Sequence, residues 1–318
     1  MVKERNIAID ILKFIAVFMV MNSHMEVCYP KYQFLATGGA IGDALFFFAS
    51  GFTLFLGRDM RFDEWYKRRI NRIYPSILAV AITAYVIWGF EENIGDILLG
   101  KRYWFIGCIM VYYVFLYPLK KIKNEKVVNL IFIGWLVVMI AAFFVVWRGK
   151  AEPYSKGLYR CLLFFLFMLQ GAIMGKHTEM FAFKWWHVPF FLIAIGACFY
   201  LVHIGSGNWL TLLSIIPLFC STYSLYCICN AKVFDKLYQN RIAGSIIFII
   251  SQLCLEVYLI QKFIFTDALN NLFPINVPII MLVVIAAAYL LKILAEFISQ
   301  TFRTEPYEWK KMLLYKKD

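Results

Sequence analysis

Two side chains in the first apolar stretch of this chain, Lys13 and His24, are costly in an apolar solvent and suited to moving protons and holding anions. They stand eleven residues apart, close to three helical turns, which returns to the same helix face about 16 Å further on. Imidazole takes a proton near neutral pH, so His24 is the candidate general base. Asn22 and Ser23 flank it as hydrogen-bonding groups or as points of hydration. A second cluster, Lys67, Arg68, Arg69 and Arg72, precedes the third apolar block. Arg69 and Arg72, one turn apart, suit phosphate oxygens because a guanidinium binds them in a planar fork. Two or three of these cations would also serve as a topology signal.

An ionisable group at mid-bilayer costs at least ~2.5–3.5 kcal/mol on insertion scales, so each one retained is a functional candidate. The others are Asp10, Asp43, Glu256, Lys292 and Glu296. Asp10, Lys292 and Glu296 fall near span ends and are expected to reach headgroups. Glu256 falls mid-span and must be protonated or paired, with Lys13, His24 or a buried tyrosine as candidate partners. Together with Tyr258 it marks a candidate acceptor path. Ser50 and Gly51, among small residues alternating with phenylalanines, read as a helix-packing surface rather than as catalytic groups. Cys227 and Cys229 have no His or second pair at zinc-site spacing, so no metal is expected.

The elements that must position these residues follow from composition. Apolar residues make up 62% of the 318 and charged residues 16%, against roughly 45–50% and ~25% in soluble domains. They come in blocks near 7–25, 40–57, 73–90, 103–119, 127–147, 159–175, 185–203, 209–229, 244–265 and 276–298, each of bilayer-crossing length. In lipid such blocks must be helices, so the expectation is an all-α, polytopic membrane bundle of about ten transmembrane helices. The connections are short, which predicts one membrane domain over 1–318. Most of the 32 Lys and Arg fall on the N-terminal side of the spans. The other side holds only Lys31, Lys101, Arg102, Arg148, Lys150 and Lys156, so both termini are expected to be cytoplasmic. The net charge of +12 is therefore a topology signal, and no nucleic acid is expected. Trp88, Trp104, Trp147, Trp185, Trp186 and Trp209 fall at span ends, where a ring with one polar edge prefers the headgroup level.

Four segments in order resemble the acyltransferase family 3 membrane proteins, bacterial enzymes that O-acylate surface glycans. Ile9-Asp10-Ile11-Leu12-Lys13 through His24 is similar to the family's Arg-x10-His motif, with Lys13 in the arginine position. Phe46-Phe47-Phe48-Ala49-Ser50-Gly51-Phe52 is similar to its FF-x-x-SGF segment, and Arg68-Arg69-Ile70-Asn71-Arg72-Ile73-Tyr74-Pro75 to its RR-x-x-RI-x-P segment. Weaker echoes follow, ending at Glu256-Val257-Tyr258-Leu259-Ile260-Gln261, where Gln261 stands in place of a second histidine found in many relatives. The resemblance implies a multi-pass protein of the bacterial cytoplasmic (inner) membrane that moves an acyl group, acetyl first, from cytoplasmic acyl-CoA to a hydroxyl of a glycan or lipid-linked glycan. Capsular or exopolysaccharide is the first choice of acceptor. It implies His24 as catalytic residue and Lys13, Arg68, Arg69 and Arg72 as acyl-CoA ligands, with acyl-CoA as co-substrate and no permanently bound cofactor. The rival reading is a transporter or flippase for a lipid-linked saccharide, which would spread cavity-facing charges over many helices.

Overall fold

The computed structural model describes residues 5–55, 57, 59–91, 93–99, 102–150, 152–154, 157–205 and 208–316. Among the cations used to orient the chain, Lys3, Arg58, Lys101, Lys156 and Lys317 lie outside these residues. Every regular element described is helical: α1 (Ile7–Asn22), α2 (Gly39–Phe55), α3 (Phe62–Trp88), α4 (Trp104–Lys121), α5 (Glu125–Val145), α6 (Leu158–Lys176), α7 (His187–Ile204), α8 (Ile215–Cys229), α9 (Lys232–Gln239), α10 (Arg241–Gln252), α11 (Cys254–Ile264) and α12 (Asn276–Thr301), with shorter turns between.

Among the described residues, seven stretches are long and apolar enough to cross a membrane. They are Gln33–Leu54, which contains most of α2, then α3, α5, α6, α7, Leu210–Cys229 and α12. The expected span at 244–265 is instead two helices, α10 and α11, bent by 76° about Leu253, and counting that pair as one broken span makes eight. The expected span at 7–25 is shorter than its apolar block. α1 has 16 residues, which rise about 24 Å against a hydrocarbon core of about 30 Å. It stops at Asn22 because side chains there compete with the helix. The Asn22 amide donates to the carbonyls of Leu35 and Thr37, and Ser23 Oγ donates back to Val20 O.

The chain divides into two compact units. Unit 1 comprises Met1–Ala16, Ala40–Arg58 and Phe115–Gln239. Its core is aromatic: Phe164, Phe165 and Phe167 of α6 are buried, and Phe167 stacks on Phe219 with ring centroids 4.3 Å apart. Asp43 is held by Arg160 at 2.6 Å. Asp10 does not reach for headgroups as expected. It is 3% exposed, gripped by Nε and Nη2 of the Arg5 guanidinium and by Tyr238 Oη of α9 at 2.8 Å. Burial, and next the Asp10 carboxylate, push the Tyr238 phenol up to about 12, which keeps it a donor. α2 crosses α6 where Gly51 backs onto the Met168 carbonyl and Gly171 onto the Phe48 carbonyl. That is the close approach expected of the small residues.

Unit 2 comprises Val17–Gly39, Asp59–Val114 and Asn240–Asp318, and α3, α11 and α12 pack against one another at its centre. Asp63 and Glu64 open α3, where acidic groups suit the positive helix end. Gly89 closes it in the left-handed conformation at φ +60°, its N–H turned back to Tyr85 O. α12 runs antiparallel to α3, since Lys292 meets the level of Ser76 through a shared carboxylate, whereas Trp88 packs on Phe263 at the far end of α11.

Adding a methyl at Gly51 or Gly171 forces two helix backbones apart, an overpacking worth about 1–3 kcal/mol. Gly51→Ala and Gly171→Ala should each lower the thermal unfolding midpoint in detergent. Gly134→Ala, on a face of α5 with nothing near the added carbon, should leave it unchanged.

Candidate active site

Pro75 lies inside α3 and has no N–H for the carbonyl of Asn71, four residues back. At this point unit 2 holds a cavity of about 340 Å³ lined by Asn71, Pro75 and Ser76, with Ala295, Glu296 and Ser299 from α12. Arg68, Arg72, Lys292 and Arg303 add four cations to its wall. Arg68, Arg72 and Arg303 are exposed while Ser76 and Ala295 are buried, so the cavity narrows inward from a cationic mouth. Arg303 Nη2 is steadied by Ser299 Oγ at 3.1 Å. Glu296 lines the wall and Glu256 behind it pairs with Lys292, so four cations meet two carboxylates, a surplus of positive charge that favours a polyanion.

Arg68 and Arg72 are four residues apart and share a helix face. Arg69 is rotated away from it: its guanidinium lies over the Trp65 ring, 5.2 Å from the centroid, and it is not among the residues lining the cavity. The pair one turn apart that faces the cavity is thus Arg68 and Arg72, whereas the spacing argument had paired Arg69 with Arg72.

Behind the cavity floor stands Glu256, 1% exposed, in the first turn of α11. Its partners are none of those expected. Ser76 Oγ donates to Oε1 at 2.7 Å and Lys292 Nζ at 3.1 Å, while Oε2 has no partner among the described residues. Lys292 therefore points into the bundle rather than out to headgroups. The bend at Leu253 adds to this, because it places Glu256 at a helix N-terminus, which favours a carboxylate. Glu296, the other acidic group expected at headgroups, lines the cavity and accepts from Gln300 Nε2 at 3.2 Å. Tyr258, two residues along α11, lies against the rings of Tyr103 and Phe105 at 5.9 and 5.6 Å.

His24 is in a different place from the one its spacing implied. It follows the end of α1 in an exposed turn, with its backbone N–H on Met21 O at 3.0 Å. The three-turn stripe with Lys13 does not extend to it, because the helix stops two residues earlier. Lys13 is half-buried within α1 and belongs to unit 1, whereas His24 belongs to unit 2. The loop after His24 is fastened to the start of α12. Asn276 Nδ2 donates to Cys28 O at 2.8 Å, Asn270 Nδ2 donates to Val27 O at 2.9 Å, and the Tyr29 and Tyr32 rings pack on Phe273. Tyr29 Oη and the Leu35 and Thr37 carbonyls occupy Asn22, so that residue braces the turn. Lys292 and Asn276 are sixteen residues apart on α12, about 24 Å along its axis. The cationic cavity and the turn bearing His24 thus stand toward opposite ends of unit 2. Ser76 and Arg303 are not singled out by any local pattern in the sequence, and Lys292, a candidate by its charge, was expected at headgroups and not at this cavity. Among the described residues no three His, Cys, Asp or Glu side chains cluster as metal ligands.

Removing one partner of the Glu256–Lys292 pair leaves a buried charge unmatched, at about 3–5 kcal/mol. Lys292→Ala should therefore cost more stability than the double change Glu256→Gln with Lys292→Met, a difference that thermal unfolding of the purified protein in detergent would read.

The family model described as an acyltransferase domain, that of acyltransferase family 3, matches residues 6–295. Neither a curated protein nor a solved structure matches the chain. The family match takes in Lys13, His24, Arg68, Arg72, Ser76, Glu256 and Lys292, leaving the far end of the cavity, Glu296, Ser299 and Arg303, beyond it. With that match over nearly its whole length, and with helices fit to cross a bilayer many times, the chain belongs to acyltransferase family 3 and is a multi-pass membrane acyltransferase.

Proposed function

We propose that this acyltransferase takes an acyl group, acetyl first, from cytoplasmic acyl-CoA and transfers it to a hydroxyl of a cell-surface glycan, capsular or exopolysaccharide before others. The observation that carries this reading is the cavity of unit 2, where Arg68, Arg72, Lys292 and Arg303 converge beside Asn71 and Ser299. CoA is a polyanion whose reactive thioester sits at the end of a thin, flexible arm. Its phosphates suit a cationic mouth, and its arm suits the separation between that mouth and His24. Lys292, held in place by Glu256, which Ser76 in turn steadies, would meet the inner phosphates, while Arg69 contributes to the mouth's potential from its place over Trp65. Lys13, in the position of the family's arginine, is kept as an acyl-CoA ligand on the strength of that resemblance.

In the chemical step His24 takes the proton of the acceptor hydroxyl as its oxygen attacks the thioester carbonyl. A C–O bond forms, the C–S bond breaks, and the proton leaves with the CoA thiol. No permanently bound cofactor enters the step. The aromatic wall at Tyr258 would flank the acceptor path, with Glu256 setting the position of Lys292 rather than contacting the acceptor. For the cavity to face cytoplasmic CoA, both termini lie in the cytoplasm of a bacterial inner-membrane protein. Counting α1, α4 and the bent pair gives about ten spans.

Arg68→Ala and Arg72→Ala should each weaken CoA binding by roughly tenfold or more, the loss of a charge-assisted hydrogen bond, as read by calorimetry on protein in nanodiscs. Unchanged affinity in well-inserted protein would reduce both arginines to topology signals. His24→Ala should keep the parental CoA affinity and lower turnover by roughly 10²–10⁴. Parental turnover in that variant would remove the histidine from the chemistry.

A further inference from the structure

Glu296 is half-buried in the wall of the cationic cavity, yet among the described residues its carboxylate pairs with none of the four cations there. Lys292 is taken by Glu256, which leaves Arg68, Arg72 and Arg303 as the charged donors that share the cavity with Glu296. A carboxylate binds a guanidinium more strongly than it binds a neutral amide. Here the neutral amide of Gln300 holds it instead, at 3.2 Å.

The placement of Gln300 accounts for this. It lies four residues beyond Glu296, about 40° round α12, between the face that lines the cavity and the face that carries Phe297. It is 5% exposed, and its amide is engaged on both sides. Nε2 donates to Glu296 Oε1 and, at 3.4 Å, to Glu308 O, while Oε1 accepts the Glu308 N–H at 2.7 Å. The chain turns back after α12 to make these contacts. The Tyr307 ring stacks on Phe297 at 5.4 Å and on Trp309 at 5.5 Å, with its hydroxyl at 3.0 Å from Thr301 Oγ1. The main chain of Glu308 thus fixes the amide, and the amide fixes the carboxylate. Were Glu296 released, each arginine it paired with would be one fewer for a bound polyanion.

We infer that Gln300, clamped by the returning segment at Glu308, is a positioning residue that holds Glu296 off the cavity's arginines and so keeps them free for the phosphates of the acyl donor. This rests on the acyl-CoA reading of the cavity. Glu296, Gln300 and Glu308 all lie beyond the residues of the family match.

The test is calorimetry with CoA on the full-length protein in nanodiscs, comparing the parent with Gln300→Leu, Glu296→Gln and the double variant. Gln300→Leu should weaken CoA binding roughly tenfold, the loss of one charge-assisted contact to phosphate. Adding Glu296→Gln should return the affinity to the parent's or better, because a neutral side chain no longer occupies an arginine. Glu296→Gln alone should bind CoA at least as tightly as the parent. Parental affinity in Gln300→Leu would overturn the assignment. So would a loss that Glu296→Gln leaves in place, the mark of a structural role for Gln300, or weaker binding by Glu296→Gln alone. A parent that does not bind CoA defeats the underlying reading and this inference with it, whereas a parent that binds CoA beside a Gln300→Leu variant that binds it equally well defeats only the role of Gln300.

Discussion

A carboxylate 1% exposed within a membrane protein must be matched, and the centre of unit 2 is arranged around that requirement at Glu256. Ser76 from α3 and Lys292 from α12 both converge on Oε1, so one side chain ties three helices together. The break at Leu253 supports the charge by starting a new helix two residues before Glu256 and turning its positive end toward the carboxylate. The same two partners line the cationic cavity. Its floor is therefore built by the interaction that orders the helices, and Lys292 is kept where a bound anion would meet it.

The polarity of unit 2 follows from the antiparallel course of α3 and α12. Their paired ends bring Arg68, Arg72, Ser299 and Arg303 together, and their opposite ends carry the loop after His24, which Asn270 and Asn276 fasten to the start of α12. A donor held by its phosphates at the first end has to be long and thin to present a thioester at the second. This geometric demand suits the acyl-CoA proposed as donor better than it suits a compact donor such as a sugar nucleotide.

Much of this was legible in the sequence because lipid penalises charge. The cost of burying ionisable groups drew attention to Lys13, His24, Glu256 and the cluster from Lys67 to Arg72, and the preference of tryptophan for headgroups placed most helix ends well. Trp88 closes α3, Trp104 opens α4, and Trp185 and Trp186 precede α7. The small residues around Gly51 read correctly as a packing surface. What stayed hidden depended on tertiary contacts. Ser76 and Lys292 lie 180 and 36 residues from Glu256, and no local pattern links them. Asp10 and Lys292 looked like groups that reach headgroups because hydropathy reports depth and not partners. The apolar block around His24 continues past Asn22, so nothing in its composition announced that side chains would end the helix there. Arg69 illustrates helical phase: one residue from Arg68, it turns to Trp65 while Arg68 and Arg72 face the cavity.

In the proposed function the donor is held at one end of unit 2 and its acyl group is delivered at the other. Sealed inside-out bacterial membrane vesicles containing the protein, with the acceptor glycan enclosed and radiolabelled acetyl-CoA added only outside, test it most directly. Label should appear on the enclosed glycan without entry of CoA into the lumen. Label confined to acceptor supplied on the same side as acetyl-CoA would contradict it.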